Sequence, residues 1–300
     1  MKKISDIFNR RGYSLSFEVF PPKSSSSFDS VREATERIAS LSPSFMSVTY
    51  GAGGGTSKYT LDIAKNIQEK YGVSTLAHLT CVSSTKETVR QRIADMKAAG
   101  IVNVMALRGD IPEGSIDSPR EYKYAIELVR ELREAGDFCI GGACYPEGHP
   151  ESESLASDII HLKEKVDAGL DFLTTQMFFD DGLFFDFVAR ASMAGIEPAY
   201  IFPGIMPITS VSQVDRVVKL SGCHLPKKFT VMIDKYGSDP ESMRQAGINY
   251  AIEQTAILFQ NGFKNVHIYS MNKPDVAAEI YNYMSGLLEY NGKKGLCKKL

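Results

Sequence analysis

The sequence predicts a single (β/α)8 barrel (a TIM barrel) over residues 1–300, and three observations carry that reading. Short β-rich runs alternate with amphipathic helical stretches along the whole chain, the pattern of a parallel sheet built from βα units. Seven run ends follow one another at intervals of about thirty residues, one βα unit each. Nearly every run finishes in a polar or ionisable residue, as the working end of such a barrel demands. An open, Rossmann-type sheet is the alternative architecture for the same alternation.

The first run, YSLSFEVF (13–20), sets one glutamate, Glu18, among Phe17, Val19 and Phe20, with Pro21 and Pro22 just beyond. An unpaired carboxylate in such company would be very costly. The second run, FMSVTYG (45–51), ends in Thr49 and Tyr50 and enters the glycine-rich GAGGGT (51–56). That stretch lacks the GxGxxG spacing of a dinucleotide turn and reads as a loop that lets backbone approach a flat ligand.

The third run, TLAHLTC (75–81), supplies His78. The fourth, NVMALRG (103–109), closes in LRGD (107–110), where Arg108 and Asp110 flank Gly109. They read either as a local surface pair or as pocket-lining charges. The fifth, FCIGGACYP (138–146), leads into CYPEGHPE (144–151), whose prolines would stiffen a loop holding Tyr145 and His149 over the mouth.

In the helix that follows, Leu155, Ile159, Leu162 and Val166 form the stripe expected to be buried, flanked by Asp158, His161 and Lys165. The sixth run, FLTTQMFF (172–179), brings Gln176, an amide able to donate and accept at once. YIFPGIMP (200–207) and NVHIYSMN (265–272) complete the set, with Met206, Tyr269 and Asn272 at their ends. The interval between these two is about twice the others and reads as two helical stretches, one of them 248–262. Gly100, Gly136, Gly169 and Gly195 mark helix ends.

No linker or low-complexity tract divides the chain, so one catalytic domain is expected, with a basic tail over about 290–300. A formal net charge of -2 and no internal basic block disfavour nucleic acid as a partner. No run has the length of a membrane span, and the start has no apolar stretch of signal-peptide length. Cys81, Cys139, Cys144, Cys223 and Cys297 are five, without CxxC spacing, and read as reduced thiols of a cytoplasmic protein. No HExxH, GxSxG, SxxK, Walker or kinase signature occurs, so neither a metal site nor serine catalysis is expected.

Taken in order, SFEVFPPK, SVTYGAGG, HLTC, LRGD, YPEGHPE, DAGLDFLTTQMFFD and FPGIMP resemble methylenetetrahydrofolate reductase of the single-domain bacterial type. The resemblance spans essentially the whole chain. It implies an FAD-dependent barrel oxidoreductase of one-carbon metabolism and methionine biosynthesis, usually a homo-oligomer. Such an enzyme reduces 5,10-methylenetetrahydrofolate to 5-methyltetrahydrofolate with electrons from NADH or NADPH, taking donor and folate in turn.

Carried across residue by residue, the resemblance makes Glu18 the general acid and Asp110 its ionised companion and a folate contact. It assigns Thr49 to the nicotinamide, and Tyr50, Ala52, His78, Arg108, Gly109 and Asp110 to the flavin. Further along FAD it implies Tyr124 and Ala125, then Tyr145, His149, Asp158, His161 and Lys165. Gln176 and Gln213 match folate contacts, with Gln176 serving both substrates. The chain departs from the family pattern at Ser152, His161 and Glu164, which stand for Ala, Asn and Arg. Lys273 stands for an Arg that holds the folate glutamate carboxylate, keeping the charge and losing the two-pronged geometry.

Rival functions are a cofactor-free barrel lyase or aldolase and a non-catalytic pterin-binding subunit. A partner subunit that feeds in electrons also fits the sequence.

Overall fold

The computed structural model describes residues 2–8, 12–22, 27–50, 57–111 and 120–290. Nine strand segments make one all-parallel sheet. They are β1 (Ser14–Val19), β2 (Met46–Val48), β3 (Thr75–Thr80), β4 (Asn103–Leu107), β5 (Cys139–Cys144), β6 (Phe172–Thr175), β7 (Ile201–Phe202), β8 (Gly204–Ile205) and β9 (Asn265–Tyr269). Their order is β7-β6-β5-β4-β3-β2-β1-β9-β8, so each βα unit lays its strand beside the last and β9 returns against β1. The fold is the predicted barrel.

The seventh predicted run is two segments because Pro203 has no N–H to give the ladder. β7 stays paired with β6 and β8 pairs with β9, so the break is where the sheet closes on itself. The Pro203 carbonyl accepts from the His267 N–H at 2.9 Å, and the Gly204 N–H donates to Thr175 Oγ1 at 2.8 Å. A Cβ on Gly204 would lie 2.5 Å from the Thr175 carbonyl oxygen and 2.6 Å from the Tyr269 hydroxyl. Only a residue without a side chain passes through that seam.

The helices are α1 (Phe28–Ala39), α2 (Ser57–Tyr71), α3 (Lys86–Ala98), α4 (Ala125–Ala135), α5 (Leu155–Asp167) and α6 (Asp181–Met193). Then come α7 (Val211–Ser221), α8 (Lys227–Tyr236), α9 (Pro240–Gln260) and α10 (Pro274–Tyr290). The long last interval therefore holds three helices where two were expected. On α5 the expected stripe is incomplete at its start: Ile159 and Leu162 are buried, whereas Leu155 is 45% exposed, resting on Gly148 of the rim loop.

Strand alternation sorts side chains between two layers. Leu15, Phe17, Val19, Met46, Val48, Ala77, Leu79, Val104, Ala106, Val266 and Ile268 face the helices in the main core. Facing the barrel axis, Phe45, Leu76, Met105, Cys139, Phe172 and Phe202 fill the lower interior, joined by Ile4 and Ile7. The 3-10 turn Ile4–Ile7 closes the floor, with the Ile4 N–H donating to Asn103 Oδ1 at 2.8 Å. Cys81, Cys139, Cys144 and Cys223 are buried free thiols.

Candidate active site

Alternation places Ser16 and Glu18 on the axial side of β1, and register aligns them with their neighbours. Glu18 pairs with Ser47 on one side and Tyr269 on the other, and Ser16 pairs with His267. A band of polar side chains thus lies directly above the apolar floor. Ser47 Oγ donates to Glu18 Oε2 at 3.3 Å and lies 3.1 Å from His267 Nε2. His267 Nδ1 lies 2.7 Å from Ser16 Oγ. His78 Nε2 approaches Glu18 Oε2 to 3.6 Å, and His267 Nε2 lies 4.0 Å from it.

Burial decides the charge of this band. Glu18 is 8% exposed, and desolvation raises its carboxyl pKa to about 8, against the opposing pull of the Ser47 hydrogen bond. His78 falls to about 4 by desolvation, and His267 to about 3 by desolvation reinforced by His78. The Glu18–His78 contact is therefore neutral against neutral and not an ion pair.

Glu18 opens on a cavity of about 220 Å³ at the C-terminal end of the strands. Of the expected site residues, Glu18, Thr49, His78, Tyr145 and Gln176 line it. Thr174, Thr175, His267 and Tyr269 join them, above Leu76, Met105 and Leu107. Thr174 Oγ1 is buried with no hydrogen-bond partner.

The rim carries most of the others. Arg108 follows β4 and is held by both Glu151 oxygens, Nη1 to Oε2 at 2.5 Å and Nη2 to Oε1 at 2.6 Å. It thus ties β4 to the loop after β5; Asp110, which is exposed, is not its partner. Gly109 has φ +86, and a Cβ there would stand 2.9 Å from the Thr80 Cβ, so glycine is required. The His149 ring meets Tyr145 edge-on at 4.7 Å, and its Nδ1 accepts from the Glu151 N–H at 3.1 Å. Tyr50 is partly buried against the core.

Tyr124 is 64% exposed and donates its backbone N–H to Glu127 Oε2 at 2.8 Å at the start of α4, whose first residue is Ala125. Asp158 accepts from Ser152 Oγ at 2.9 Å. Lys165 turns inward, donating to the Ala143 carbonyl at 2.9 Å, and burial lowers its pKa. Exposed His161 stands 3.3 Å from Glu164 on the same helix. Ala52 lies outside the described residues. Gln213 and Lys273 meet directly, Nζ to Oε1 at 3.5 Å, and through Thr209. Lys273 Nζ donates to Thr209 Oγ1 at 2.6 Å, which in turn donates to Gln213 Oε1 at 2.9 Å.

The donor set fits a flavin dinucleotide. An unpartnered hydroxyl (Thr174), an amide (Gln176) and a phenol (Tyr145) face a cavity with apolar neighbours, as an edge-polar, face-apolar ring requires. For a pyrophosphate on the rim, Arg108 would have to exchange its Glu151 partner, and the start of α4 offers N–H groups beside the Glu127 carboxylate. Among the described residues no group of three His, Cys, Asp or Glu could hold a metal, and no helix is long and apolar enough to cross a membrane.

Known proteins resemble this chain in sequence and in fold. A family model described as methylenetetrahydrofolate reductase matches residues 3–285. A protein of Pectobacterium carotovorum named 5,10-methylenetetrahydrofolate reductase is 37% identical over 89% of this chain and 88% of its own length. Its namesake in Escherichia coli K12 has the same identity and coverage. A Zea mays relative, named methylenetetrahydrofolate reductase (NADH) 1, is 35% identical over 96% of this chain and 51% of its own. In fold, the chain matches a Clostridium thermocellum protein described as binding two copies of 5-methyl-5,6,7,8-tetrahydrofolic acid. The TM-score is 0.65 at 14% identity, covering 93% of this chain and 99% of that one.

Proposed function

This chain belongs to the methylenetetrahydrofolate reductase family, and from that premise we propose that it uses bound FAD, reduced by NADH or NADPH, to convert 5,10-methylenetetrahydrofolate to 5-methyltetrahydrofolate. It is an enzyme of that family. The cofactor, the donor, the order of events and the residue roles are our reading of the site.

The observation that carries the reading is a buried carboxyl on the cavity wall that stays protonated near neutral pH. The folate is a closed five-membered ring that accepts hydride poorly. A proton delivered from the Glu18 carboxyl to a ring nitrogen breaks its bond to the methylene carbon and leaves an iminium cation. Hydride addition to that carbon then gives the methyl group, and Glu18 is left as a carboxylate that water reprotonates. An acid with an ordinary carboxyl pKa would already be ionised and could not begin this step.

When bound, FAD would take hydride from the nicotinamide and release it to the folate. Thr49, Tyr145, Gln176 and the Thr174 hydroxyl are available to orient ring edges within the cavity, and apolar Leu107 and Met105 exclude water below. Arg108, Tyr124 and Ala125 would hold the remainder of the cofactor along the rim. Asp110 at the mouth favours the developing cation, and Gln213 with Lys273 would receive the substrate's carboxylate tail.

The test is anaerobic stopped flow on the two half-reactions. Glu18→Gln should leave reduction of the flavin by nicotinamide intact and abolish its reoxidation by methylenetetrahydrofolate. Intact folate turnover in the variant, or a purified protein that takes up no FAD, would sink the proposal.

A further inference from the structure

Beyond Val19 the chain reads Phe20, Pro21, Pro22, and two residues without an N–H cannot extend the ladder between β1 and β9. The last rung pairs Glu18 with Tyr269, so the Phe20 backbone needs partners elsewhere. One side chain supplies both. Asn272 Oδ1 accepts from the Phe20 N–H at 2.8 Å, and Asn272 Nδ2 donates to the Phe20 carbonyl at 2.9 Å. A carboxamide carries the donor and acceptor of one peptide unit, so Asn272 acts as an extra rung. Next to it, buried Ser270 Oγ donates to the Glu18 carbonyl at 2.5 Å.

The turn that delivers these groups is conformationally unusual. Met271 and Asn272 have φ of 53 and 54, two consecutive left-handed residues without a glycine. Asn tolerates that region and Met does so poorly. The Lys273 N–H closes the turn on the Ser270 carbonyl at 2.9 Å. Backbone in such regions persists where its surroundings over-determine it, and it gathers at functional sites.

We propose that Asn272, assisted by Ser270, is a positioning residue that fixes the end of β1 so that the Glu18 carboxyl projects into the cavity. The inference rests on reading Glu18 as the acid. Without the extra rung, the end of β1 beyond Glu18 is held on the β2 side by the Val19–Val48 pair and has no pair on the β9 side, and a strand end slipped by one residue would turn Glu18 away from the axis. Lys273 follows directly but is anchored separately on Thr209, so loss of the Asn272 amide should spare tail binding.

The experiment uses the purified full chain with FAD and compares Asn272→Ala, Asn272→Asp, Asn272→Gly and Glu18→Gln. Asn272→Ala should slow the folate half-reaction roughly tenfold to a hundredfold, with KM for the folate little changed and flavin reduction by nicotinamide unchanged. Isotope-edited infrared titration of the Glu18 carboxyl, without substrate, should shift towards an ordinary carboxyl value as the strand end admits water. Asn272→Asp keeps the acceptor for Phe20 and should fall between; it carries the test if the alanine variant fails to fold. Asn272→Gly suits the left-handed turn but lacks the amide, and should match alanine.

Wild-type folate rates and an unmoved titration in Asn272→Ala, with Glu18→Gln inactive, overturn the clamp alone. A glycine variant equal to wild type assigns the effect to backbone strain and also overturns it. Folate turnover in Glu18→Gln removes the acid itself and the clamp with it.

Discussion

Nε2 of His78 lies 3.6 Å from Oε2 of Glu18, and burial keeps both groups uncharged. Glu18 is also faced by His267, Ser47 and Tyr269 from the flanking strands. The tyrosine's hydroxyl is likewise held neutral, its pKa raised by burial and, once Glu18 ionises, by that carboxylate. Among the described residues around this acid, then, no cation favours its ionised form.

Stability should therefore peak near pH 6.5 as far as these groups determine it. From pH 4.5 to 6.5 the unfolded chain binds a proton at each of the two histidines that the native state refuses. Native Glu18 meanwhile retains one proton that the unfolded chain loses. The unfolded state binds one more proton in balance, so stability rises by about 1.4 kcal/mol per pH unit. From 6.5 to 8 only the extra Glu18 proton remains, and stability falls at a similar slope. Denaturant unfolding across pH should show this falling limb in the wild type and not in Glu18→Gln; parallel curves would mean that native Glu18 is ionised.

Ser47→Ala removes the hydrogen bond that opposes desolvation at Glu18, so the carboxyl pKa should rise above about 8. In the pH profile of the folate half-reaction, the limb marking loss of the acid should move to higher pH. A limb that moves down would show that Ser47 favours the protonated form.

Gly204→Ala should destabilise the fold by about 1–3 kcal/mol, as overpacking does in a core without slack. The added methyl meets a backbone carbonyl and the Tyr269 ring at the closing seam. Thermal unfolding measures it, and an unchanged midpoint would mean that the seam opens freely.

Lys273→Ala should raise KM roughly tenfold for a folate with its glutamate tail, with kcat little affected. Lys273→Arg should largely restore it. The same substrate lacking the glutamate should not distinguish the variants; if it does, Lys273 acts on the ring system and not the tail.

How far all this is legible in the sequence differs from residue to residue. Glu18 stands out because a carboxylate between Phe17 and Val19 conflicts with its surroundings, and such conflict concentrates at functional sites. Ser47 and His267 give no such signal. Each is an ordinary residue within a strand, and only the registers with β1 bring them to the acid. Arg108 was readable as a charge, but its partner Glu151 lies 43 residues away and nothing local announces the pairing. The barrel itself follows from the βα repeat, whereas its closing point at Pro203 depends on two non-local pairings that periodicity does not encode. Lys165 sits on the helix edge that spacing predicts, yet its long stem lets the ammonium turn back to β5.

The small turn Ile4–Ile7 seals the barrel's lower end with Ile4 and Ile7 against Phe45, Leu76, Met105 and Phe202. Among the described residues, the cavity above is thus closed from below. Whatever is used in it and whatever is made in it must come and go on the side of the strands' C-terminal ends. For the two bulky reactants proposed here, a pocket closed from below would favour taking turns. Traffic of this kind is ruled by departure, so the rim loops are where a faster or slower enzyme would be made.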